Sequence, residues 1–343
     1  MTSTVSFKPK QVTKRMLSGL SPRAYEVIVN RFGITDDVQR KTLEAIGQKY
    51  GITRERVRQI ENSALGFIRK SETFKNEKQV FEELKKLMHT LGAVVEEQEL
   101  LNHFSKDKLT QNHIHLYLTL GDDFIKHKED DHFKTRWSVD ADIAEQIHKS
   151  LKNLFENLSD DELVSEAELI SRFLEEVKDL SEEYKNEEIA KRWLSMSKKI
   201  NKNPLGEWGK STSSSIKTRG VKDYAFLMMR KHGSPMHFRE VAKAVANTFD
   251  KKCHVATCHN ELIKDPRFVL VGRGIYALSE WGYKTGVVRD VIKELLKKNG
   301  PMKKEDIIDQ VMKERYLKKN TILVNLQNSK YFKKNKAGLY TIA

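Results

Sequence analysis

Hydrophobic residues recur at helical spacing along most of the chain and alternate in only a few short segments. The clearest pair of helical segments spans residues 42–68. Gly51 stands between them, where a left-handed helix end is favoured, and Thr42 and Thr53 are suitable N-caps for the two segments. Three apolar residues of the first segment share one face: Leu43, Ile46 and Tyr50. The pattern therefore predicts two short helices that meet at Gly51.

The second of these segments separates a packing face from a polar face. At about 100° per residue, its apolar side chains fall on one side: Val57, Ile60, Ala64 and Phe67. An opposite arc of roughly 140° carries groups that hydrogen-bond base edges: Arg54, Glu55, Arg58, Gln59 and Asn62. This arrangement is typical of the second helix of a helix-turn-helix, which enters the major groove. A charged, solvated surface helix is the alternative.

Residues 20–68, which contain LSPRAYEVIVNRFGI and TRERVRQIE, closely resemble region 4, the C-terminal promoter-recognition region of bacterial sigma-70 type transcription factors. The resemblance implies readout of the −35 promoter element by four residues: Arg54, Glu55, Arg58 and Gln59. It also implies phosphate contacts near two helix N-termini, from Thr42, Leu43, Glu44 and Thr53. Arg56 and Glu61 are assigned to phosphate contact or intrahelical pairing. Ser63 departs from the basic residue often found at its position.

The segment before this motif is predicted to be a helix that begins at Ser21-Pro22 and ends at Gly33. Its apolar stripe comprises Ala24, Val27, Ile28 and Phe32. In the sigma family this part of region 4 forms the pocket for the flap of the polymerase β subunit. The resemblance therefore implies a polymerase contact by Val27, Ile28 and Phe32, although an apolar stripe is first of all a core. Residues 1–15 are polar and basic and are predicted to form a flexible arm, followed by the helix-turn-helix at residues 16–71.

Composition limits the partner and the compartment. The 343 residues are 32% charged and 38% hydrophobic, which suits small helical modules better than one large enzyme core. A net charge of +14 and a pI near 9.4 imply an acidic partner, and the base-reading face favours duplex DNA over anionic lipid. No apolar run reaches membrane-spanning length and the N-terminus lacks the apolar core of a signal peptide. We therefore expect a bacterial cytoplasmic protein associated with the nucleoid.

Beyond a charged connector at residues 71–78, the chain repeats a plan of three helices followed by a hairpin-like segment. Such self-similarity predicts stacked modules. Residues 203–220 are rich in turn residues and are either a wing or a linker. The expected fold class is mainly α with small β-wings, with an N-terminal helix-turn-helix followed by tandem winged-helix modules. The predicted modules span residues 79–140, 141–219, 221–283 and 287–343.

The third repeat contains SPMHFREVAKAV, HNELIKDPRF and GRGIYAL, with a predicted hairpin turn at Gly272-Arg273-Gly274. It resembles the HARE type of winged helix-turn-helix, a module also found in the delta subunit of bacterial RNA polymerase and in some restriction and chromatin proteins. The fourth repeat follows the same layout in shorter form. Basic residues of the two hairpins are candidates for phosphate contact, with a solvated surface as the alternative: Arg267, Arg273, Lys330, Lys333, Lys334 and Lys336.

The sequence does not predict disulfides, metal binding or catalysis. Cys253 and Cys258 are too few for a disulfide framework and fit a reducing compartment. They diverge by about 140° on a helix, and no second ligand pair occurs at zinc-finger spacing, so no metal site is predicted. No nucleophile–base arrangement is recognisable, and we expect neither an enzyme nor a cofactor.

The leading hypothesis is a transcription factor that binds duplex DNA and associates with the core of bacterial RNA polymerase. The aromatic-rich region with which sigma factors capture a melted strand is not recognisable, so we expect no promoter opening by this chain alone. One alternative is a DNA-binding accessory of a defence or chromosome-organising system. Another is a protein-interaction scaffold. The sequence does not determine the target motif, the choice between activation and repression, or the oligomeric state.

Overall fold

A computed structural model describes residues 6–283, 288–314 and 318–343. Helices dominate these residues, and the strands are short and pair in small antiparallel sheets. This confirms the predicted class, mainly helical with small sheets. The chain divides into an N-terminal unit, Met1–Lys202 with Glu207–Ser211, and a C-terminal unit, Asn203–Gly206 with Thr212–Ala343. Within the described ranges, every helix is too short or too polar to cross a bilayer.

The N-terminal unit starts with five helices, and capping residues set several of their ends. Ser21 caps the second helix, and Gly33 ends it in the left-handed region with φ of 66°. One expectation needs correction, because part of the predicted flexible arm is helical and buries Val12. The charged connector at residues 71–78 contains a short helix. The five helices are α1 (Pro9–Leu17), α2 (Pro22–Phe32), α3 (Leu43–Tyr50), α4 (Arg54–Lys70) and α5 (Glu72–Asn76).

Four segments follow that share one order of elements: a helix, a short extended segment, two helices and an antiparallel hairpin. We name them the first to fourth modules. The first module, residues 78–138, comprises α6 (Lys78–Thr90), β1 (Val94–Glu96), α7 (Glu97–Phe104), α8 (Lys108–Leu120), β2 (Ile125–His127) and β3 (Arg136–Ser138). The second module, residues 141–210, comprises α9 (Ala141–Asn157), α10 (Glu166–Glu176), α11 (Glu187–Met196), β4 (Ile200–Lys202) and β5 (Trp208–Lys210).

The other two modules lie in the C-terminal unit. The third module, residues 221–278, comprises α12 (Val221–His232), β6 (Met236–His237), α13 (Phe238–Phe249), α14 (Val255–Lys264), β7 (Phe268–Gly272) and β8 (Ile275–Leu278). The fourth module, residues 288–342, comprises α15 (Val288–Asn299), α16 (Lys304–Glu314), α17 (Lys319–Leu326), β9 (Phe332–Lys334) and β10 (Tyr340–Ile342). Val287, the predicted start of the fourth repeat, lies outside the described residues.

The pairing of strands is the same in all four modules. The extended segment after the first helix pairs antiparallel with the second strand of the hairpin. It therefore lies at the edge of the sheet, next to that strand. The partners are Val95 with Trp137, Val164 with Trp208, Met236 with Tyr276 and Met302 with Tyr340. In the second module, the first part of the turn-rich segment at residues 203–220 contains β5 and pairs with β4 in a hairpin.

Candidate nucleic-acid interface

The turn between α3 and α4 follows the predicted helix-turn-helix geometry. Thr42 Oγ1 accepts a hydrogen bond from the Ala45 amide at 3.1 Å, and Thr53 Oγ1 caps α4 in the same way. Gly51 ends α3 with φ of 64°, a conformation in which glycine meets no Cβ penalty. These caps hold the two helices at the angle that presents α4 to solvent.

A small core lies beneath this turn. Val27, Ile46 and Val57 are fully buried together, and Leu43 packs against them. Gly47 allows α3 to approach the following turn, because a Cβ at this position would lie 2.6 Å from the Ile52 carbonyl oxygen. The side chain of Leu43 therefore belongs to the core, and a phosphate contact there falls to its backbone amide. Thr42 and Glu44 remain exposed at the start of α3.

The polar face of α4 is open to solvent. Arg54, Glu55, Arg58 and Gln59 are all exposed. Arg58 donates from Nε and Nη2 to the Glu55 carboxylate at 2.9 and 2.7 Å, which lowers the pKa of Glu55 and raises the pKa of Arg58. Arg56 donates to Gln59 Oε1 at 3.0 Å. The face thus forms two local pairs, which leave the amide nitrogen of Gln59 and Nη1 of Arg58 outside these bonds.

Two predicted roles on α4 change. Phe67, which was expected on the packing face, is 52% exposed, and its ring lies over Gly19, where a Cβ would come within 3.2 Å of it. Glu61 pairs with Arg31 on α2 at 3.2 Å, so it joins two helices and does not pair within α4.

The helix-turn-helix is fixed to the first module through α8. Asn112 donates from its amide nitrogen to the carbonyl oxygens of Gly33 and Val38 at 2.8 and 3.0 Å, and it accepts from Arg40 Nε at 2.8 Å. Arg69 at the end of α4 donates to two carbonyl oxygens at the end of α8. The loop before α3 and the end of α4 are therefore both held by the same helix.

A cleft of about 770 Å³ with both polar and apolar lining opens between the start of α2 and α4, and Arg23, Arg56 and Gln59 contribute to it. Its wall includes Leu20, Ala24 and the exposed ring of Phe67. The residues predicted for the polymerase contact lie elsewhere: Val27, Ile28 and Phe32 are 0%, 0% and 4% exposed and belong to the core. They do not form this surface, because the stripe that packs a helix is hidden by that packing.

The predicted phosphate contacts of the C-terminal unit divide into two groups. Arg267 is a structural residue: its guanidinium bonds to the nearly buried carboxylates of Asp223 and Asp265 at 2.9 and 2.7 Å. Hydrogen bonding from Arg267 lowers the pKa of Asp265. By contrast, the remaining candidates are exposed on the hairpins: Arg273, Lys330, Lys333, Lys334 and Lys336.

The cysteines do not form a shared helical face. Cys253 precedes α14, whose N-cap is His254, whereas Cys258 is buried within the helix. Burial raises the pKa of Cys258 to about 12, which disfavours the thiolate that metal binding requires. Within residues 6–283, 288–314 and 318–343, no three potential metal-ligating side chains cluster.

The sequence that forms this interface is similar to sequences of known proteins. Residues 16–70 match the family described as Sigma-70, region 4. RNA polymerase sigma factor SigA of Nostoc sp. is 50% identical over 56 residues, which cover 16% of this chain and 14% of that protein. SigA1 of Synechococcus elongatus is 54% identical over 54 residues, 16% of this chain and 13% of that protein. RpoD of Helicobacter pylori is 47% identical over 60 residues, with shares of 18% and 9%.

The chain thus spans less than a fifth of the length of these relatives. The resemblance to region 4 is confirmed for the N-terminal helices, and it covers the whole of α2, α3 and α4. The HARE resemblance of the third module stays a prediction. Sequence reasoning missed the cleft and the clamp by Asn112; the polar run Gln111-Asn112-His113 inside an otherwise apolar helix was the available signal.

Proposed function

We propose that this chain binds duplex DNA through α4 and works with bacterial RNA polymerase to regulate transcription initiation. The observation that carries the proposal is the coincidence of the region 4 match with an exposed α4 face of Arg54, Glu55, Arg58 and Gln59. Arginine pairs with guanine O6 and N7, glutamine with adenine, and glutamate accepts from cytosine N4. The role is one of binding and positioning, without catalysis.

The modules that follow are, in this proposal, winged helices, and the third is of the HARE type. The support is their shared order of elements and the common pairing of the extended segment with the second hairpin strand. A winged helix uses the same three-helix plan as a helix-turn-helix and adds a hairpin beside it.

The polymerase contact is assigned to the cleft beside α4. An exposed aromatic ring in a concave surface is a frequent anchor of a protein–protein contact. Phe67 supplies the ring, and Leu20 and Ala24 supply the apolar part of a wall that also contains polar residues. This assignment replaces the buried Val27, Ile28 and Phe32.

Selection of bound sequences from a random duplex library tests the DNA role. The wild-type chain should enrich a discrete motif, and Arg58→Ala should relax one position at a cost of about 1 to 3 kcal/mol. Lys70→Ala, at the exposed C-terminal end of α4, is the matched control and should retain the motif. Uniform binding by the wild-type chain would refute readout by α4.

Co-purification with core RNA polymerase tests the partner. Phe67→Ala should reduce recovery of the complex, whereas Tyr25→Ala removes an aromatic side chain of similar exposure on α2, outside the cleft, and should not. A chain that enriches a motif but does not co-purify with polymerase would instead be a DNA-binding accessory of another system. A chain that does neither would fit the interaction scaffold.

A further inference from the structure

The positive charge of the chain is unevenly distributed. Residues 1–70 contain 14 Lys and Arg against six Asp and Glu, residues 71–211 contain 21 against 30, and residues 212–343 contain 27 against 12. The net charges are therefore +8, −9 and +15. A polyanion is attracted to both ends of the sequence and repelled by the first and second modules between them.

The third helix of a winged module is the one that would enter a DNA groove, and in the first two modules it is covered. Along α8, no side chain from residue 109 to residue 120 is exposed, because the helix packs against α1, α2 and α4. On α11 only Glu187 and Glu188 are exposed. Trp193 on its inner side donates to the Gly92 carbonyl oxygen of the first module at 3.0 Å.

The hairpin of the first module is also engaged with the second. Phe133 forms a β-bridge with Ser197, and the Lys134 amide donates to the Met196 carbonyl oxygen at 3.0 Å. Helix α8 thus joins the first module to the N-terminal helices, whereas α11 and this hairpin join the second module to the first. Together with their acidic charge, this leaves the first and second modules without a surface suited to DNA.

The third and fourth modules have the opposite character. On α14, Thr257, Asn260 and Lys264 are exposed, and two exposed lysines, Lys251 and Lys252, precede the helix. On α17, Lys318 at the N-cap, Lys319, Asn320 and Thr321 are exposed, and each of the two helices also exposes apolar side chains, Ile263 on α14 and Val324 on α17. The exposed basic residues of the hairpins add to each module. In the described parts of the chain, none of these lysines lies within 4.0 Å of a carboxylate.

We propose that the C-terminal unit carries a second attachment surface for duplex DNA, formed on each module by the third helix and the hairpin, which holds phosphates without reading sequence. Lysine ammonium groups are point charges that contact phosphates without base selectivity. Exposed helices flanked by basic hairpins fit the groove and backbone of a duplex. The ligand class rests on the proposed function; the surface itself rests on charge and exposure in the C-terminal unit.

Salt-dependent binding of the full chain to a 30-base-pair duplex of arbitrary sequence tests this surface. The variant Lys251→Ala/Lys252→Ala/Lys318→Ala/Lys319→Ala should bind more weakly, and the slope of log K against log salt should fall by about 3 to 4, since each lost phosphate contact removes about 0.9. A control removes the same charge from exposed lysines of the acidic modules: Lys86, Lys106, Lys149 and Lys152. Its slope should change by less than about one.

The readouts separate this inference from the proposed function. Motif enrichment should survive the C-terminal substitutions unchanged, whereas Arg58→Ala should relax one position of the motif. Failure of sequence readout would therefore leave the salt slope as an independent result. Equal slopes for the C-terminal variant and its control would overturn the second surface. Tighter binding of single-stranded RNA than of the duplex, with only the RNA affinity lowered in the variant, would overturn duplex DNA as its ligand. Glutamine at the same four lysines supplies a second variant if the alanine chain does not fold.

Discussion

Replacing Arg267 with alanine should destabilise the third module far more than a surface change would. The guanidinium bonds to two carboxylates whose side chains are only 4% and 7% exposed, those of Asp223 and Asp265. Breaking a buried pair by removing one partner costs about 3 to 5 kcal/mol, because the remaining charge stays buried. The Arg267 side chain is 24% exposed, so solvent reaches the pair and we take the lower end, about 3 kcal/mol.

Hydrogen exchange by mass spectrometry measures this locally, since it reports the opening of individual segments. Peptides covering β7 and β8 should open roughly a hundredfold more often in Arg267→Ala, because about 1.4 kcal/mol corresponds to a factor of ten. Arg273→Ala removes an exposed arginine from the same hairpin and should change little. Peptides of the second module provide an internal reference. If exchange in Arg267→Ala stays within about threefold of Arg273→Ala, the buried-charge reasoning is wrong.

Two further predictions concern the N-terminal unit. Gly47→Ala should lower the midpoint of thermal unfolding, because the added Cβ would lie 2.6 Å from the Ile52 carbonyl oxygen. Gly66→Ala on α4 should raise the midpoint, because its Cβ would meet nothing within 4 Å and alanine favours the helix. Equal effects of the two substitutions would contradict the close approach at Gly47. Burial, assisted by the Arg136 charge, lowers the pKa of His148 to about 3. Between pH 6.5 and 3 the unfolded chain thus binds a proton that the folded chain excludes, so stability should fall as the pH drops below 6.5. His148→Gln should lessen the loss of the unfolding midpoint between pH 7 and pH 5, and an unchanged loss would exclude His148 as its source.

Local features of the fold were predictable because they depend on neighbours in sequence. Ser21, Thr42 and Thr53 cap their helices, and Gly33 and Gly51 end theirs, as the spacing indicates. The hairpin between β7 and β8 turns at the predicted glycines. The short strands of the second module left two interpretations, since three residues give too little alternation to distinguish a strand from a loop.

Features that depend on distant contacts were not predictable from periodicity. Phe67 has the spacing of a packing residue, but one side of its ring lies close to Gly19 and the residue is half exposed. Val27 and Ile28 have the spacing of a surface stripe in the family's pocket and are buried. Arg267 sits in a basic hairpin, and its two carboxylate partners come from positions that the sequence does not bring together. In each case the sequence shows the spacing of the residue itself but does not identify the distant residues that it contacts.

The sequence similarity ends before α8, but the apolar core that contains α8 extends beyond that point. Similarity to region 4 ends at residue 70, yet one continuous apolar cluster runs from Val12 and Phe32 through Ile68 to Leu84 and Tyr117. A fragment cut after the match would expose that cluster to water and lose the clamp by Asn112. The smallest piece able to hold α4 in place therefore extends through the first module, and dissection of the chain should be planned from the shared core.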